Sequence, residues 1–329
     1  MERIHFLNVK NGDCSWIQHA SGRNTVIDIC NGNTPQGDVL KEYSDIIYSM
    51  ALDAYMTPNF SGNFRYKELP TNPIGYFSLH GMPKEIFRFI LTHPDMDHMD
   101  GLNELLKQFD VINFWDTDNN KKMDKYSFGS QYHYEDWLTY QDLRNKESNP
   151  KALELYSGAQ GKEYTNDGLE ILSPTSELVR YAKEHDDYNT SSYVILYTTT
   201  TGRKVLFCGD SDARAWENIM ALHSRKLTNI DILIAPHHGR KSGGCSEYLD
   251  VLKPKLTVFG NANSEYLDYD SWLHKGLCHI TNNQAGNIIF DFLEDGKILS
   301  YVENEKFAGK MNLYSFCSQE LGAWSLYIF

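Results

Sequence analysis

Short apolar runs separated by polar turns recur along the chain and predict more strands than helices. The run at 85–91 has the composition of a buried strand, and similar runs lie at 169–174, 192–197, 204–208, 230–235, 256–260 and 287–292. Helical spacing of apolar residues occurs at 99–109 and 213–222. A helix followed by an irregular segment is expected within 36–80. The mixture, without a repeat period, predicts one α/β domain over residues 1–329.

Three of the predicted strands end in side chains that commonly bind metal ions. The strand at 85–91 is followed by four potential ligands within six residues, His93-Pro94-Asp95-Met96-Asp97-His98. The strand at 204–208 is followed by Gly209-Asp210, and the strand at 230–235 by Pro236-His237-His238-Gly239. A loop at a strand end can turn several side chains towards one point, whereas a continuing strand alternates its faces. The three clusters therefore predict a metal site at strand ends.

Each cluster also has an ordinary structural interpretation. A lone Asp210 at a strand end is typical of a turn or a helix cap, and a lone His-His-Gly is typical of a surface turn. The first cluster differs, because two Asp and two His beside apolar strand residues are costly to bury unless they are paired. Metal coordination would satisfy all four groups at once, so we expect it there.

The first cluster resembles the His-x-His-x-Asp-His signature of the metallo-β-lactamase fold superfamily, with Asp95 in place of the second His. The longer stretch 92–102 is similar to the hydrolase domain of ComEC-type DNA-uptake proteins, here in a soluble, stand-alone form. Matching motifs are Gly12-Asp13, Val26-Ile27-Asp28, Cys208-Gly209-Asp210 and the stretch 236–241, in the same order over roughly residues 3 to 292. The resemblance implies an αββα four-layer sandwich of the α/β class, with insertions at about 45–80 and 116–165. It places metals at one edge of the two sheets.

The resemblance also implies a set of metal ligands. One metal would bind His93 and Asp95, and the second would bind Asp97 and His98. The remaining assignments are Asp210 as the bridge between the two, His237 as the residue that completes the second position, and Asp28 as a support behind them.

Two departures from the family pattern change the expected chemistry. Asn189, 21 residues before Asp210, stands where the family usually has another His ligand. With Asp95 and Asn189 in place of imidazoles, the first position is richer in oxygen, which favours Mn²⁺ or Mg²⁺ relative to a nitrogen-rich zinc site. We expect one or two divalent ions, Zn²⁺ or Mn²⁺ with Mg²⁺ as an alternative, one held tightly and the other recruited with substrate. Further on, the stretch 261–266 lacks a His that the ComEC-type pattern carries.

Such a centre would acidify a bound water and neutralise a phosphodiester during in-line attack. Asp97 is expected to bind metal and also orient this water. His238 and Lys241 are expected to approach the scissile phosphate, although a lone Lys241 would be equally typical of a solvated surface residue. The candidate catalytic residues are thus Asp97, His238 and Lys241, and the candidate substrate contacts are Asn189 and Lys241.

The charge of the chain limits how a nucleic acid could be bound. There are 31 Lys and Arg against 44 Asp and Glu, a formal net charge of −13. This excludes broad electrostatic wrapping of a nucleic acid, which depends on many basic side chains. It does not exclude an enzyme that uses bound cations. We therefore expect a substrate gripped locally, and either a short or small substrate or a basic protein partner.

These observations favour a metal-dependent phosphodiesterase, and within that class a nuclease. One alternative is a hydrolase of a small phosphodiester or another ester. A second alternative, suggested by Asn189 and the missing late His, is a regulatory or binding module with a partly degenerate metal site.

The two insertions are expected to carry selectivity, since loops vary around a generic metal core. Their aromatic side chains would suit base stacking, a lid or a protein interface: Tyr55, Phe60, Phe64, Tyr66, Trp115, Tyr126, Tyr132, Tyr134 and Trp137. No stretch approaches the ~18 uninterrupted apolar residues of a membrane helix, and no signal-peptide core is visible at the start. We expect no membrane insertion, a cytoplasmic location and six reduced cysteines buried in the core.

Overall fold

The strands of the chain assemble into two sheets. The structure is a computed structural model and describes residues 1–34, 64–128, 131–241, 246–263 and 265–329. Within these residues the strands are β1 (Glu2–Phe6), β2 (Ser15–Gln18), β3 (Asn24–Ile27), β4 (Glu85–Ile90), β5 (Asp110–Asp116), β6 (Lys151–Glu154), β7 (Leu169–Ser173), β8 (Val194–Thr198), β9 (Lys204–Phe207), β10 (Ile232–Ile234), β11 (Leu256–Phe259), β12 (His279–Thr281), β13 (Ile288–Phe292), β14 (Ile298–Val302), β15 (Cys317–Ser318) and β16 (Ala323–Ile328).

The helices lie between these strands. They are α1 (Pro73–Leu79), α2 (Leu102–Gln108), α3 (Tyr134–Leu143), α4 (Lys162–Asn166), α5 (Ser176–His185), α6 (Ala213–His223), α7 (Leu249–Leu252), α8 (Tyr269–His274), α9 (Asn282–Ala285) and α10 (Glu305–Met311). No helix among the described residues is both long and apolar enough to cross a membrane.

Both sheets contain a parallel region. The ten-stranded sheet has the order β15-β16-β14-β13-β1-β2-β3-β4-β5-β6, and β3 to β6 run parallel to one another. The six-stranded sheet has the order β12-β11-β10-β9-β8-β7, and β9 to β12 run parallel. Parallel strands bring their carboxyl ends to one edge, so the loops after β3, β4 and β5 are neighbours, as are those after β9 and β10.

Three apolar clusters define four layers. The first lies between the sheets and joins residues such as Ile4 and Phe290 of one sheet to Ile195 and Phe207 of the other. The second packs α1, α2 and α3 on the outer face of the larger sheet, and the third packs α6, α7 and α8 on the outer face of the smaller sheet. This helix–sheet–sheet–helix order confirms the predicted αββα class.

Most predicted elements are present, with differences in the insertions. The predicted strands at 85–91 and 204–208 correspond to β4 and β9, and the predicted helix at 213–222 corresponds to α6. The segment 116–165 is less irregular than expected, because it contains α3 and the edge strand β6. Of the predicted insertion at about 45–80, residues 45–63 lie outside the described residues.

The cysteine prediction is confirmed in part. Cys14, Cys30 and Cys208 are free thiols in the core. Cys278 is free but exposed, and Cys317 is free but only half-buried, so the expectation of burial in the core is wrong for both, since the turn after α8 and the edge strand β15 lie at the surface. Cys245 lies outside the described residues.

Candidate metal centre

The carboxyl ends of strands from both sheets meet at one edge and bring the predicted ligands together. His93 to His98 follow β4, and the segment Met96–His98 forms a 3-10 turn. Asp210 follows β9, and the turn Pro236–Gly239 follows β10. The amide of His237 donates to the carbonyl of Gly209 at 2.9 Å, which ties the last two loops to each other.

The carboxylate of Asp210 lies at the centre of four imidazoles. Its Oδ1 is 3.2 Å from Nε2 of His98 and 3.4 Å from Nε2 of His238. Its Oδ2 is 3.5 Å from Nε2 of His237 and 3.9 Å from Nε2 of His93. Asp210 is therefore placed to contribute one oxygen to each of two neighbouring positions.

The donors separate into two sets, one on each oxygen of Asp210. The first donor set consists of His93, Asp95, His237 and Oδ2 of Asp210, and Oδ2 of Asp95 is 3.9 Å from Nε2 of His93. The second donor set consists of Asp97, His98, His238 and Oδ1 of Asp210, and Oδ2 of Asp97 is 3.8 Å from Nε2 of His238. Both sets carry the nitrogen and oxygen donors that divalent metals accept.

The chemistry of these donors fits a metal ion. Nε2 of His93, His98 and His238 and Oδ1 of Asp210 are buried and have no hydrogen-bond partner. Leaving such groups unpaired is costly, and a cation would satisfy them together. Ligands about 2.0–2.1 Å from a tetrahedral ion lie about 3.3 Å from one another. The separations of 3.2 and 3.4 Å around Oδ1 of Asp210 agree with that spacing.

Buried hydrogen bonds fix which ring nitrogen of each imidazole faces the centre. Asp28 lies 2.8 Å from Nδ1 of His98, and Asp13 lies 3.0 Å from Nδ1 of His238. A carboxylate only accepts, so each Nδ1 donates its proton to the carboxylate behind it, and each Nε2 faces the centre, where a metal ion would take the place of its proton. The hydroxyl of Thr92 donates to Asp28 at 2.8 Å. Carboxylates behind His ligands are the usual arrangement in metal sites.

Burial and mutual charge set the protonation of the ligands. Burial lowers the pKa of His93, and the neighbouring His98 lowers it further. Burial is also the main cause of the lowered pKa of His237. Burial alone would raise the pKa of Asp210, but the charges of His238 and His98 outweigh it and hold the pKa well below its usual range. Asp210 is thus a carboxylate, and His93 and His237 are neutral, which are the forms that bind metal.

The other two imidazoles differ in protonation. Burial would lower the pKa of His98, but Asp210 together with Asp28 raises it. Burial would likewise lower the pKa of His238, but Asp210 together with Asp13 raises it. A bound metal must therefore displace a proton from each of these two imidazoles.

The turn after β10 has a strained backbone. His237 (φ 50°, ψ 47°) and His238 (φ 57°, ψ 13°) are both left-handed, as is Gly239 at φ 85°. A left-handed conformation costs a residue other than Gly about 1–2 kcal/mol. Strain of this kind persists where the surroundings hold it and is common at functional sites. Here it allows two adjacent imidazoles to reach opposite oxygens of Asp210.

The placement of the predicted residues differs in one respect from the ligand set that the resemblance implies. His238, rather than His237, lies with Asp97 and His98 in the second donor set, because Asp13 turns its ring inwards. His237 lies on the side of His93 instead. The completely buried side chain of His238 is therefore in a donor position, and its predicted approach to a phosphate stays a prediction.

The two predicted substrate contacts lie outside the donor sets. Asn189 is in the 3-10 turn Tyr188–Ser191, where its carbonyl accepts a hydrogen bond from the amide of Ser192 at 3.1 Å. Lys241 is exposed, and its amide donates to the carbonyl of Tyr266 at 2.7 Å. Their proposed roles towards a substrate stay predictions.

Three residues to which no role at the metal centre was assigned from the sequence lie near the site. Asp13 was visible only as part of a Gly-Asp turn, and its partner His238 is 225 residues away in sequence. Lys121 forms an ion pair with Oδ1 of Asp95. Tyr132 lies near Asp97; burial raises its pKa first, and the charge of Asp97 raises it further. None of these has a local sequence signal, since each depends on loops that meet only in the fold.

The aromatic residues of the insertions are mostly structural. Trp115 and Trp137 are 1% and 4% exposed and belong to the packed cores, so the prediction of an available ring is wrong for both. Phe64 packs edge-on against Phe307 at 5.5 Å. Tyr126 is 94% exposed, and Tyr55 lies outside the described residues, as does Phe60. Tyr66, Tyr132 and Tyr134 are half-buried.

A neighbouring group of Asp100, His133 and Asp136 also brings metal-type side chains together. Its carboxylates are already satisfied. Asp136 accepts from the amides of Gly101 at 3.0 Å and Asn103 at 2.8 Å, and the side chain of Asn33 donates to both carboxylates. His133 is exposed. The group therefore holds loops together and is not part of the metal centre.

Comparisons with known proteins find only structural neighbours of low identity. Neither a protein-family model nor a curated protein matches the chain. Among solved structures, Rm3 metallo-β-lactamase is 11% identical, with 72% of this chain and 76% of that chain covered at a TM-score of 0.39. A diphosphatase from the PhnP family is 11% identical, with 79% and 86% covered and a TM-score of 0.38. CmlA, a diiron β-hydroxylase from Streptomyces venezuelae, is 13% identical, with 84% and 52% covered and a TM-score of 0.42.

The structural neighbours thus include metallo-β-lactamases at low identity. The fold class depends on the sheets and cores described above rather than on these scores. The finer resemblance to ComEC-type domains stays a prediction.

Proposed function

We propose that this protein is a metal-dependent phosphodiesterase, and within that class a nuclease. The observation that carries the proposal is the convergence of buried, unpartnered donors from His93, His98, His238 and Asp210 at the edge where the two sheets meet. A purely structural cluster would pair these atoms with one another or with backbone groups.

The protein residues have distinct tasks in this proposal. One or two divalent cations held by the donor sets would supply an acidified water and positive charge for the phosphate oxygens. Asp97, whose side chain is 24% exposed, is the member of the second donor set that can also contact a water or a substrate. Asp13 and Asp28 keep His238 and His98 in the tautomer that presents Nε2.

Local positive charge supports an anionic substrate. Lys121 lies beside the first donor set, and Lys241 follows the turn that carries His237. The net charge of −13 leaves such local cations as the means of holding a phosphate backbone.

A small phosphodiester is the second candidate substrate, and the burial of Trp115 and Trp137 favours it. With these rings packed in the cores, fewer aromatic faces remain for successive bases of a strand. Tyr132, which is half-buried near Asp97, is then a candidate contact for one base or leaving group.

The proposal is tested with protein stripped of metal and reloaded with Mn²⁺, Zn²⁺ or Mg²⁺. The substrates are end-labelled single-stranded DNA and RNA, together with bis(p-nitrophenyl) phosphate as a small diester. We expect cleavage of all three, and loss of cleavage in His238→Ala. The matched control His274→Ala, in a histidine on the surface helix α8, should cleave like the wild type.

Each outcome decides between the candidates. Cleavage of the small diester without cleavage of either polymer would contradict the nuclease assignment and keep the phosphodiesterase. Bound metal without hydrolysis of any diester would overturn the proposal in favour of a binding or regulatory module.

A further inference from the structure

Lys121 is positioned by strand order rather than by its local sequence. β5 pairs in parallel with β4, so the segment after β5 lies at the same edge of the sheet as His93 to His98. Lys121 is the fifth residue after the end of β5 at Asp116. A side chain from the 116–165 insertion therefore reaches the candidate metal centre.

The segment that carries Lys121 is anchored by several hydrogen bonds. Arg144 donates to the carbonyl of Asn119 at 2.8 Å, and the side chain of Asn119 donates to the hydroxyl of Tyr140 at 2.8 Å. The hydroxyl of Tyr188 donates to the side chain of Asn120 at 2.9 Å. Because the backbone on the N-terminal side of Lys121 is held in this way, its ammonium is directed towards the centre.

The ammonium of Lys121 lies beside the first donor set. Nζ pairs with Oδ1 of Asp95 and lies 5.5 Å from the centre of the Tyr188 ring. The other oxygen of Asp95 faces His93. The side chain of Lys121 is 20% exposed, so water screens this charge only in part. A divalent ion at the first donor set would therefore lie close to a fixed positive charge.

The second donor set has the opposite surroundings. Two carboxylates, Asp28 and Asp13, lie directly behind His98 and His238. His98 is within reach of both positions, but its Nδ1 is bonded to Asp28, and its Nε2 has a single lone pair that can bind one ion only. An ion in the second donor set can therefore bind His98 together with Asp97 and His238.

From this difference we infer that Lys121 supplies the positive charge of the first donor set, so that the protein holds a single divalent ion tightly, in the second donor set. The inference goes beyond the proposed function, because it concerns the number of ions and the residue that limits it. In hydrolysis, Lys121 would stand where a second metal would otherwise meet the phosphate, as a point charge suited to an oxygen of the substrate.

The test counts bound ions by equilibrium dialysis against buffered Zn²⁺ and, separately, Mn²⁺, followed by elemental analysis. For the wild type we expect one tight ion per chain, with any second ion bound more weakly by about ten-fold or more. Lys121→Met keeps the length of the side chain and removes its charge, so we expect the second ion to tighten by about ten-fold. Lys121→Arg should bind like the wild type.

Matched variants separate this effect from a general change in charge. Lys122→Met removes the same charge from an exposed neighbour and should leave the ion count unchanged. Lys121→Gln repeats the neutral substitution in a polar form, and thermal unfolding of each variant checks its fold.

Two results would overturn the inference: two ions of similar affinity in the wild type, or an unchanged count in the folded neutral variants. Neither readout depends on turnover, so a failure here is distinguishable from a failure of the phosphodiesterase assignment.

Discussion

Two clusters of carboxylates and imidazoles come within two residues of each other in sequence, at His98 and Asp100, and differ in how their polar atoms are satisfied. Around Asp210, buried nitrogen and oxygen atoms converge without hydrogen-bond partners. Around Asp136, both carboxylate oxygens accept hydrogen bonds from backbone amides and from Asn33. Residue types alone would make both clusters candidate metal sites.

The pKa values of the carboxyl groups also distinguish the two clusters. Burial raises the pKa of Asp100 and of Asp136, because the charged form is poorly solvated there. The pKa of Asp210 is held well below its usual range, because His238 and His98 outweigh the effect of burial. A metal site therefore differs from a structural acidic cluster by its unpaired donors and by an opposing charge that keeps its carboxylate ionised.

The largest difference between the clusters should appear on neutralising one carboxylate in each. Asp210→Asn should lose bound metal and reduce phosphodiester hydrolysis by about a thousand-fold, because one oxygen of each donor set becomes a neutral amide group. Elemental analysis and initial rates measure both effects. Asp136→Asn is the matched change in the structural cluster, and this variant should still bind metal at the candidate centre around Asp210. Equal metal loss in both variants would remove the distinction.

A smaller effect is expected behind the ligands. Asp28→Asn keeps the side-chain shape and suits the left-handed backbone at this position (φ 56°), but it removes the charge behind Nδ1 of His98. We expect metal affinity to fall by about ten-fold, as for other outer partners of His ligands. Competition with a chromophoric chelator measures this change. Unchanged affinity would mean that Asp28 serves Thr92 and the fold alone.

A substitution in the structural cluster around Asp136 should instead lower the stability of the fold. Asp136→Ala leaves the amides of Gly101 and Asn103 without their acceptor, so we expect the free energy of unfolding to fall by about 2 kcal/mol. Urea unfolding of metal-free protein measures it, with the exposed Asp270→Ala as the control. If Asp136→Ala lost metal without losing stability, the cluster around Asp136 would have to be assigned to the metal centre.

A further difference concerns pH and a third buried carboxyl group, Asp116. Burial raises its pKa to about 7, despite the nearby Arg144 and the hydroxyl of Tyr140. The folded protein then holds a proton that the unfolded chain, with a pKa near 3.8, releases. Stability from this group is complete below the unfolded pKa and is lost as pH rises to about 7. Urea unfolding across this range should show a shallower decline in Asp116→Asn, and identical slopes would contradict the assignment.

The sequence predicted which residues meet at the candidate metal centre better than it predicted their surroundings. His93, Asp95, Asp97, His98, Asp210 and His237 were all expected at strand ends, and all of them meet there. Strand ends are readable because a β-type run that stops at polar residues is a local pattern.

The partners of these ligands could not be predicted in the same way. The contact of Asp13 with His238 joins residues that are 225 positions apart, and the contact of Lys121 with Asp95 depends on β5 pairing with β4. The prediction of available aromatic rings was wrong for a related reason, because composition does not reveal that Trp115 and Trp137 face the cores. The exchange of His237 and His238 depends on a left-handed turn that propensities do not favour.

The ligand loops emerge from both sheets, which gives a bound ion a mechanical role. His98 follows β4 of the larger sheet, whereas Asp210 and His238 follow β9 and β10 of the smaller one. An ion held by all three would act as a cross-link across the sandwich. Metal loading should then slow amide hydrogen exchange in β4, β9 and β10 together, and a substitution in the core between the sheets, far from any ligand, should change the affinity for metal.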